Sequence, residues 1–274
     1  MVESAGEQNR TIMPTFMIHP EPLPGPTHRI EEPPTLMHPH GCAISDLDDR
    51  AIWRYMDLPK YLSLLSTSAL YFTRADQLTE MDPMERSWGQ PDLEGEMAEA
   101  NAKARRSLHE IMGKDFVNCW HLNEYESAAM WDIYGNIGAS VAIKTSLRRF
   151  SNMFSTGDFM DADRWRMVPL EVRYLDYRKE GVGYRNAFDL LRSKRKSYEH
   201  EREIRMTLTQ PVSLGVDDLV GVHLRVDLPA AVDGIYVNPR APRWVFEAVT
   251  TTSERFGINP SMIHQSALDE TPLL

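Results

Sequence analysis

Carboxylates and bases crowd the segment Lys194-Arg-Lys-Ser-Tyr-Glu-His-Glu-Arg-Glu-Ile-Arg-Met-Thr-Leu208. Read as a strand from Glu201 to Thr209, its side chains alternate. Ile204, Met206 and Leu208 take one face, while Glu201, Glu203 and Arg205 take the other. The apolar face goes to the core, so the charged face is expected to open onto solvent or a cleft. Two carboxylates two residues apart, next to a base, can orient hydroxyls or stabilise a developing cation. Glu203 and Glu201 are therefore the candidate catalytic pair. The same pattern also describes a solvated strand face with a cross-strand Arg–Glu pair, the reading that residue chemistry alone favours.

Other residues offer binding chemistry. Arg54, in Trp53-Arg-Tyr55, can clamp an anion, and Tyr71 can stack on a flat ring. Asp82 and Glu85 can hold a turn or a ligand, and with Glu201 and Glu203 they make a candidate set around a divalent ion, although nothing in the spacing favours a metal. Aromatic residues at strand positions also serve as plain core, and Asp-Pro before Glu also serves as an ordinary turn. Cys119 and His121 share a strand face, so they read either as a thiol–imidazole pair or as a buried structural cysteine beside a histidine. Met130, Trp131 and Tyr134 form one helical stripe that packs a core or lines a pocket. Arg192, Lys194, Arg195 and Lys196 form a basic run able to meet a phosphate-bearing ligand or a nucleic acid.

The elements that must position these groups follow from periodicity and punctuation. A strand is expected at Ala51 to Met56, then a helix capped by Asp57 through Leu58, Leu62 and Leu65, then a strand at Ala69 to Arg74. A polar, Ala-rich helix from about Leu93 to Met112 leads into a strand at Phe116 to Leu122. Asn123 with Glu126 resembles a capping box for a helix that Gly135 closes. Further strands are expected at Gly138 to Lys144, Met167 to Leu175, Glu201 to Thr209, Gly221 to Val226 and Gly234 to Val237. Pro242 suits the first turn of a helix running to Phe256. Interspersed helices and strands predict an α+β fold, one mixed domain over residues 46–270 with a mostly antiparallel, split sheet flanked by helices.

Residues 1–45 hold eight of the 18 prolines. Proline lacks a backbone donor and breaks helices, so this stretch is expected to be a flexible tail outside the core. It also carries His19, His28, His38 and His40, a set without cysteine or carboxylate at ligand spacing, so no metal is predicted. Forty acidic residues against 30 Lys and Arg give a net charge of −10, and the averaged field repels nucleic acid and anionic lipid. The charge is uneven: from Asp161 to Arg205 twelve Lys or Arg face nine Asp or Glu. No apolar run reaches the roughly 20 residues that span a bilayer, and the N-terminus lacks a basic start followed by an apolar run. With two cysteines, Cys42 and Cys119, a disulfide framework is excluded. A cytoplasmic location is expected.

Several motifs, taken in order, resemble the domain-of-unknown-function family numbered 2971, found largely in bacterial proteins. They are Trp53-Arg-Tyr55, Leu64-Leu65, Leu70-Tyr-Phe72, Asp82-Pro-Met-Glu85, Cys119-Trp120, Met130-Trp-Asp-Ile-Tyr-Gly135, Val141-Ala-Ile143 and Tyr198-Glu-His-Glu-Arg-Glu-Ile-Arg205. The likeness ends near Val237-Asn-Pro-Arg240 and Gln265-Ser-Ala-Leu268. Met81 stands where that family has Asn. The layout of a basic-aromatic first strand, a helix, a Leu-Tyr-Phe strand and a late Glu-x-Glu strand also resembles ADP-ribosyltransferase-like domains. That resemblance implies NAD as a substrate: Arg54 or Tyr55 would contact the dinucleotide and Tyr71 would stack on nicotinamide. Glu203 would hold a ribose hydroxyl and stabilise oxocarbenium character, and Glu201 would orient the acceptor. A non-catalytic module sensing a ligand or nucleic acid, and a metal-dependent nuclease, remain the other readings.

Overall fold

The computed structural model describes residues 25–36, 49–80, 82–94, 98–135, 138–153, 155–156, 163–183, 187–215 and 218–269. In chain order the strands are β1 (Thr27–Ile30), β2 (Thr35–Leu36), β3 (Ala51–Asp57), β4 (Ala69–Arg74), β5 (Phe116–Leu122), β6 (Ser140–Ser146) and β7 (Ser155–Thr156). They continue with β8 (Arg166–Glu171), β9 (Arg173–Leu175), β10 (Ser193–Arg195), β11 (Glu203–Thr209), β12 (Gly221–Arg225), β13 (Gly234–Val237) and β14 (Ile263–Gln265). The helices are α1 (Leu58–Thr67), α2 (Gln90–Glu94), α3 (Ala98–Gly113), α4 (Ala128–Tyr134), α5 (Leu147–Ser151), α6 (Leu228–Ala231) and α7 (Arg243–Arg255).

Twelve strands join in one mixed, mostly antiparallel sheet, and β9 and β10 pair in parallel as a small second one, which makes the fold α+β. The sheet forks at β5. One edge of β5 is taken by β11, from Glu203 opposite His121 to Leu208 opposite Phe116. The other edge is shared: Leu122 and His121 pair with Ile52 and Trp53 of β3, whereas Val117 and Phe116 pair with Thr73 and Arg74 of β4. Over Asn118–Trp120 the two neighbours part, into a branch β3-β6-β13-β14 and a branch β4-β12-β1.

Helix α1 spans the branches, and its ends are local chemistry. The Asp57 carboxylate accepts from Lys60 N at 2.8 Å, and Ser68 stops the helix in the left-handed region at φ 49. Its Tyr61, Leu64 and Leu65 close one face of the sheet, where Ile204, Met206 and Leu208 of β11 meet Ile52, Phe72, Trp120 and Ile143. Among the described residues no helix is long and apolar enough to cross a membrane.

Three expectations need correction. First, part of the Pro-rich stretch belongs to the sheet: β1 pairs with β12, β2 with β8, and Ile30 and Leu36 are buried in the main core. Pro26 precedes β1 and Pro33-Pro34 separate the two strands, so proline punctuates these edges without removing a ladder bond. His28 stacks on Trp165 at 5.8 Å, while His19, His38 and His40 lie outside the described residues. Second, α4 is capped by Ser127, whose hydroxyl accepts from Met130 N, and Asn123 instead accepts from Arg202. Third, β11 begins at Glu203. Residues Lys196–Glu201 form a tight 3-10 turn that ends on Arg202 at φ 41.

Candidate functional site

That turn sets the site. It folds Glu201 back onto Lys194, seven residues earlier, with Nζ 2.5 Å from Glu201 Oε2. The same ammonium lies 3.2 Å from Glu203 Oε2 and 3.9 Å from Glu85 Oε2. Arg205 grips Glu203 through Nε at 2.9 Å and Nη2 at 3.0 Å, reaches Glu85 Oε1 at 2.7 Å, and donates to Leu191 O at 2.6 Å. Tyr198 covers Lys194, its ring 5.0 Å from Nζ. All five charged groups are buried, Arg205 to 1% exposure and Glu201 to 2%. The charged face of β11 is therefore neither a solvated face nor a cleft wall. The stretch around Glu85, strand β10 and the turn before β11 cover it, and ions survive there because each meets opposite charge.

Burial and charge pull the three carboxyls apart. Burial raises the Glu85 carboxyl against the pull of Arg205 and Lys194. Glu201 is pushed up to about 8, by burial first, with Lys194 opposing and Glu203 adding. Burial would raise Glu203 too, but Arg205 and Lys194 outweigh it and hold that carboxylate well below its usual range. With the Glu201 carboxyl raised to about 8, a proton on it near neutral pH leaves two carboxylates against the two cations. The Glu203 carboxylate accepts from Arg205, Lys194 and the Cys119 thiol, whereas Glu201 Oε1 has no partner among the described residues.

Beside this cluster lies the fork. Arg54 reaches into it, with Nη1 donating to Asn118 Oδ1 at 3.0 Å and to Cys119 O at 2.6 Å. Asn118 ties the branches together, since its Nδ2 donates to Tyr71 O at 2.7 Å. Arg54, Cys119 and Tyr134 each keep some accessible surface, yet burial is the first cause of every shift they show. It lowers the Arg54 guanidinium and lifts the Cys119 thiol and Tyr134 phenol well above their ordinary values. These three groups are thus partly accessible and yet desolvated. Tyr134 feels the charges of Glu201, Lys194 and Glu203 and the Cys119 thiol, so the ion cluster lies within electrostatic reach of the fork.

The candidate residues thus meet different fates. Glu201 and Glu203 converge, but through a turn and a lysine, not through strand parity. Arg54 stands at the fork next to Cys119. The Tyr55 hydroxyl accepts from Ser127 N at 2.9 Å and its ring packs on Trp131, which commits it to holding α4. The Tyr71 ring lies on His223 at 5.1 Å and its hydroxyl points to Val220 O, toward β12 and away from the fork. His121 Nδ1 contacts Glu201 O at 2.6 Å, whereas the Cys119 thiol bonds to Glu203, so the two make no thiol–imidazole pair.

The basic run is largely consumed: Arg192 pairs with Asp189, Lys194 lies inside the cluster, and Arg195 makes a two-point bond to Asp82, leaving exposed Lys196. Glu85, Glu201 and Glu203 do gather as the nuclease reading required, but the Lys194 ammonium occupies the space between them and Asp82 is held elsewhere. The sequence reads Lys194 in a basic run and Tyr134 in a pocket-lining stripe, and neither reading places them near Glu201 and Glu203. A lysine seven positions before a glutamate on the far side of a turn carries no periodic signal. Compared with protein-family models, curated proteins and solved structures, the chain finds no match.

Proposed function

We propose that the chain binds a nucleotide of the NAD class at the fork and cleaves its nicotinamide–ribose bond, as an ADP-ribosyltransferase-like enzyme or NAD glycohydrolase. Arg54 carries the reading. It is a half-buried guanidinium, desolvated, held by the neutral acceptors Asn118 Oδ1 and Cys119 O and lying over the Trp120 ring at 5.9 Å, with no carboxylate paired to it among the described residues. A cation in that state is stabilised by an anion, and a dinucleotide offers a pyrophosphate.

The resemblance in layout supports the same class, but the geometry redistributes the roles. Glu203, ionised and bonded to both Arg205 and Lys194, holds Lys194 in place beside Glu201. Glu201, with one oxygen unpartnered among the described residues and an affinity for protons centred near 8, is suited to take the proton of the attacking water or acceptor hydroxyl as nicotinamide leaves, which requires the bound nucleotide to displace part of the cover that leaves this residue 2% exposed. Half-buried Tyr134 replaces Tyr71 as the ring nearest the reacting end.

The purified protein should release nicotinamide from NAD, and Glu201→Gln should abolish release without unfolding the chain. Arg54→Met should raise KM, and Tyr71→Ala should change neither constant. Neither release nor binding of NAD at millimolar concentration would remove the reading. A non-catalytic ligand-binding module has one observation of its own, the complete neutralisation of Glu203 by Arg205 and Lys194; it expects NAD to bind, lost in Arg54→Met, with no nicotinamide released.

A further inference from the structure

The turn that delivers Glu201 to the ion cluster is itself held by side chains that bond only to its main chain. Lys196–Glu201 wind as a 3-10 turn, and Arg202, at φ 41, reverses the chain into β11. A residue with a Cβ is strained in the left-handed region, so such a reversal persists where its neighbours hold it there. Here the main chain is tied down on both sides. The Arg202 carbonyl accepts from Leu122 N at 2.8 Å. Just before it, the Glu201 carbonyl meets His121 Nδ1 at 2.6 Å, and just after it Glu203 N donates to the Tyr174 hydroxyl at 2.7 Å. His121 belongs to β5 and Tyr174 to β9, so both anchors come from strands.

The bond to Glu201 also fixes the state of His121. A carbonyl oxygen only accepts, so the hydrogen sits on Nδ1. Burial lowers the imidazole from its ordinary value against the pull of the Glu201 bond, and the charges of Arg202 and His200 add to the lowering, which keeps the ring neutral at neutral pH. His121 is 3% exposed, its ring stands edge-on to Tyr55, and Nε2 has no partner among the described residues. The one hydrogen bond this histidine makes there is the one to Glu201.

We propose that His121, assisted by Tyr174, is a positioning residue for Glu201: the two bonds fix the backbone from which the Glu201 carboxyl reaches Lys194, and they act through the main chain without touching the nucleotide. This role deepens the reading of Glu201 as the group that takes the proton, and rests on it. The charged groups facing the Glu201 carboxyl are Lys194 from β10 and Glu203 and Arg205 from β11, and the Tyr134 and Tyr174 phenols feel its charge. Burial is the largest cause of its raised value. Without the Nδ1–H donor the end of the turn loosens, the carboxyl gains water, and its affinity for protons falls back toward the ordinary range.

The test follows Glu201 itself, by carbon NMR of the side-chain carboxyls in the full chain without nucleotide, with Glu201→Gln assigning the signal. His121→Phe keeps a ring and removes the donor; the Glu201 midpoint should fall from about 8 to below about 6. His121→Asn, whose amide N–H stands where the Nδ1–H stood, should bring the midpoint back. Tyr174→Phe, at a half-buried position, should move it the same way by less, which keeps the proposal decidable if His121→Phe does not fold. The pH profile of nicotinamide release from NAD, measured alongside, should move down with the Glu201 midpoint, and its plateau should drop by about tenfold or more. A chain that releases no nicotinamide but whose Glu201 midpoint still moves in His121→Phe supports the positioning role and removes the NAD reading alone. A Glu201 midpoint that stays at its wild-type value in folded His121→Phe, or in Tyr174→Phe where the former does not fold, overturns the role of His121.

Discussion

The two faces of β11 are both closed to water, and they are closed by different means. Ile204, Met206 and Leu208 enter an apolar cluster whose contacts are non-directional and tolerate small changes in shape. Glu203 and Arg205, each one residue away, are buried as deeply but only inside a network of named partners: Lys194, Glu201, Glu85 and the Cys119 thiol. The contrast teaches that depth of burial does not rank the two faces. What ranks them is what a single deletion leaves behind. A lost methyl leaves a small cavity, whereas a lost ion leaves an opposite charge stranded in low dielectric.

Breaking the polar face should give the largest effect. Arg205→Met strands Glu203 and Glu85 and should cost about 3–5 kcal/mol in urea unfolding, while adding Glu203→Leu should restore part of that loss. A double variant no more stable than the single one would contradict the stranded-charge account.

Next comes a change in pH dependence. The Glu201 carboxyl rises from an ordinary 4.5 to about 8 in the folded chain, so its contribution to stability is complete below about 4.5 and lost as pH rises through 8. Glu203 is depressed and acts in reverse, losing its contribution as pH falls through its folded value. Between pH 5 and 8 the fall in stability with rising pH should therefore flatten in Glu201→Gln, as read from Tm at each pH. An unaltered slope would mean that Glu201 is not the group holding the proton.

On the apolar face Ile204→Val should cost only about 0.5–1.5 kcal/mol in the same unfolding measurement. Smallest of all, Lys196→Ala, exposed at the start of the turn, should stay within about 0.5 kcal/mol and leave the site unchanged. A larger loss there would show that the turn contributes to the network through its surface as well.

Much of the fold was legible along the chain. The strands at Ala69–Arg74, Phe116–Leu122 and Gly234–Val237 match their expected bounds, and Asp57 caps α1, because alternation, β-branched content and a carboxylate before Leu-Pro are local signals. The strand expected over Met167 to Leu175 is two strands in two sheets, β8 and β9, since an unbroken run of strand-forming residues does not record where pairing changes partner. In the site, parity on β11 correctly grouped Glu203 with Arg205. It failed for Glu201, where the left-handed Arg202 reverses the chain before the strand begins.

The amino-acid sequence by itself determined the α+β class, the apolar face of β11, the break between helix and strand at Ser68, and the presence of unusual charge density near residue 200. Each is set by neighbours a few positions apart. Tertiary structure alone decided that this charge is buried, that Glu85 from over a hundred residues earlier completes it, and that β5 forks to expose Arg54 beside it. Coulombic pairing in a low-dielectric interior depends on separation in space, and separation along the chain does not report it.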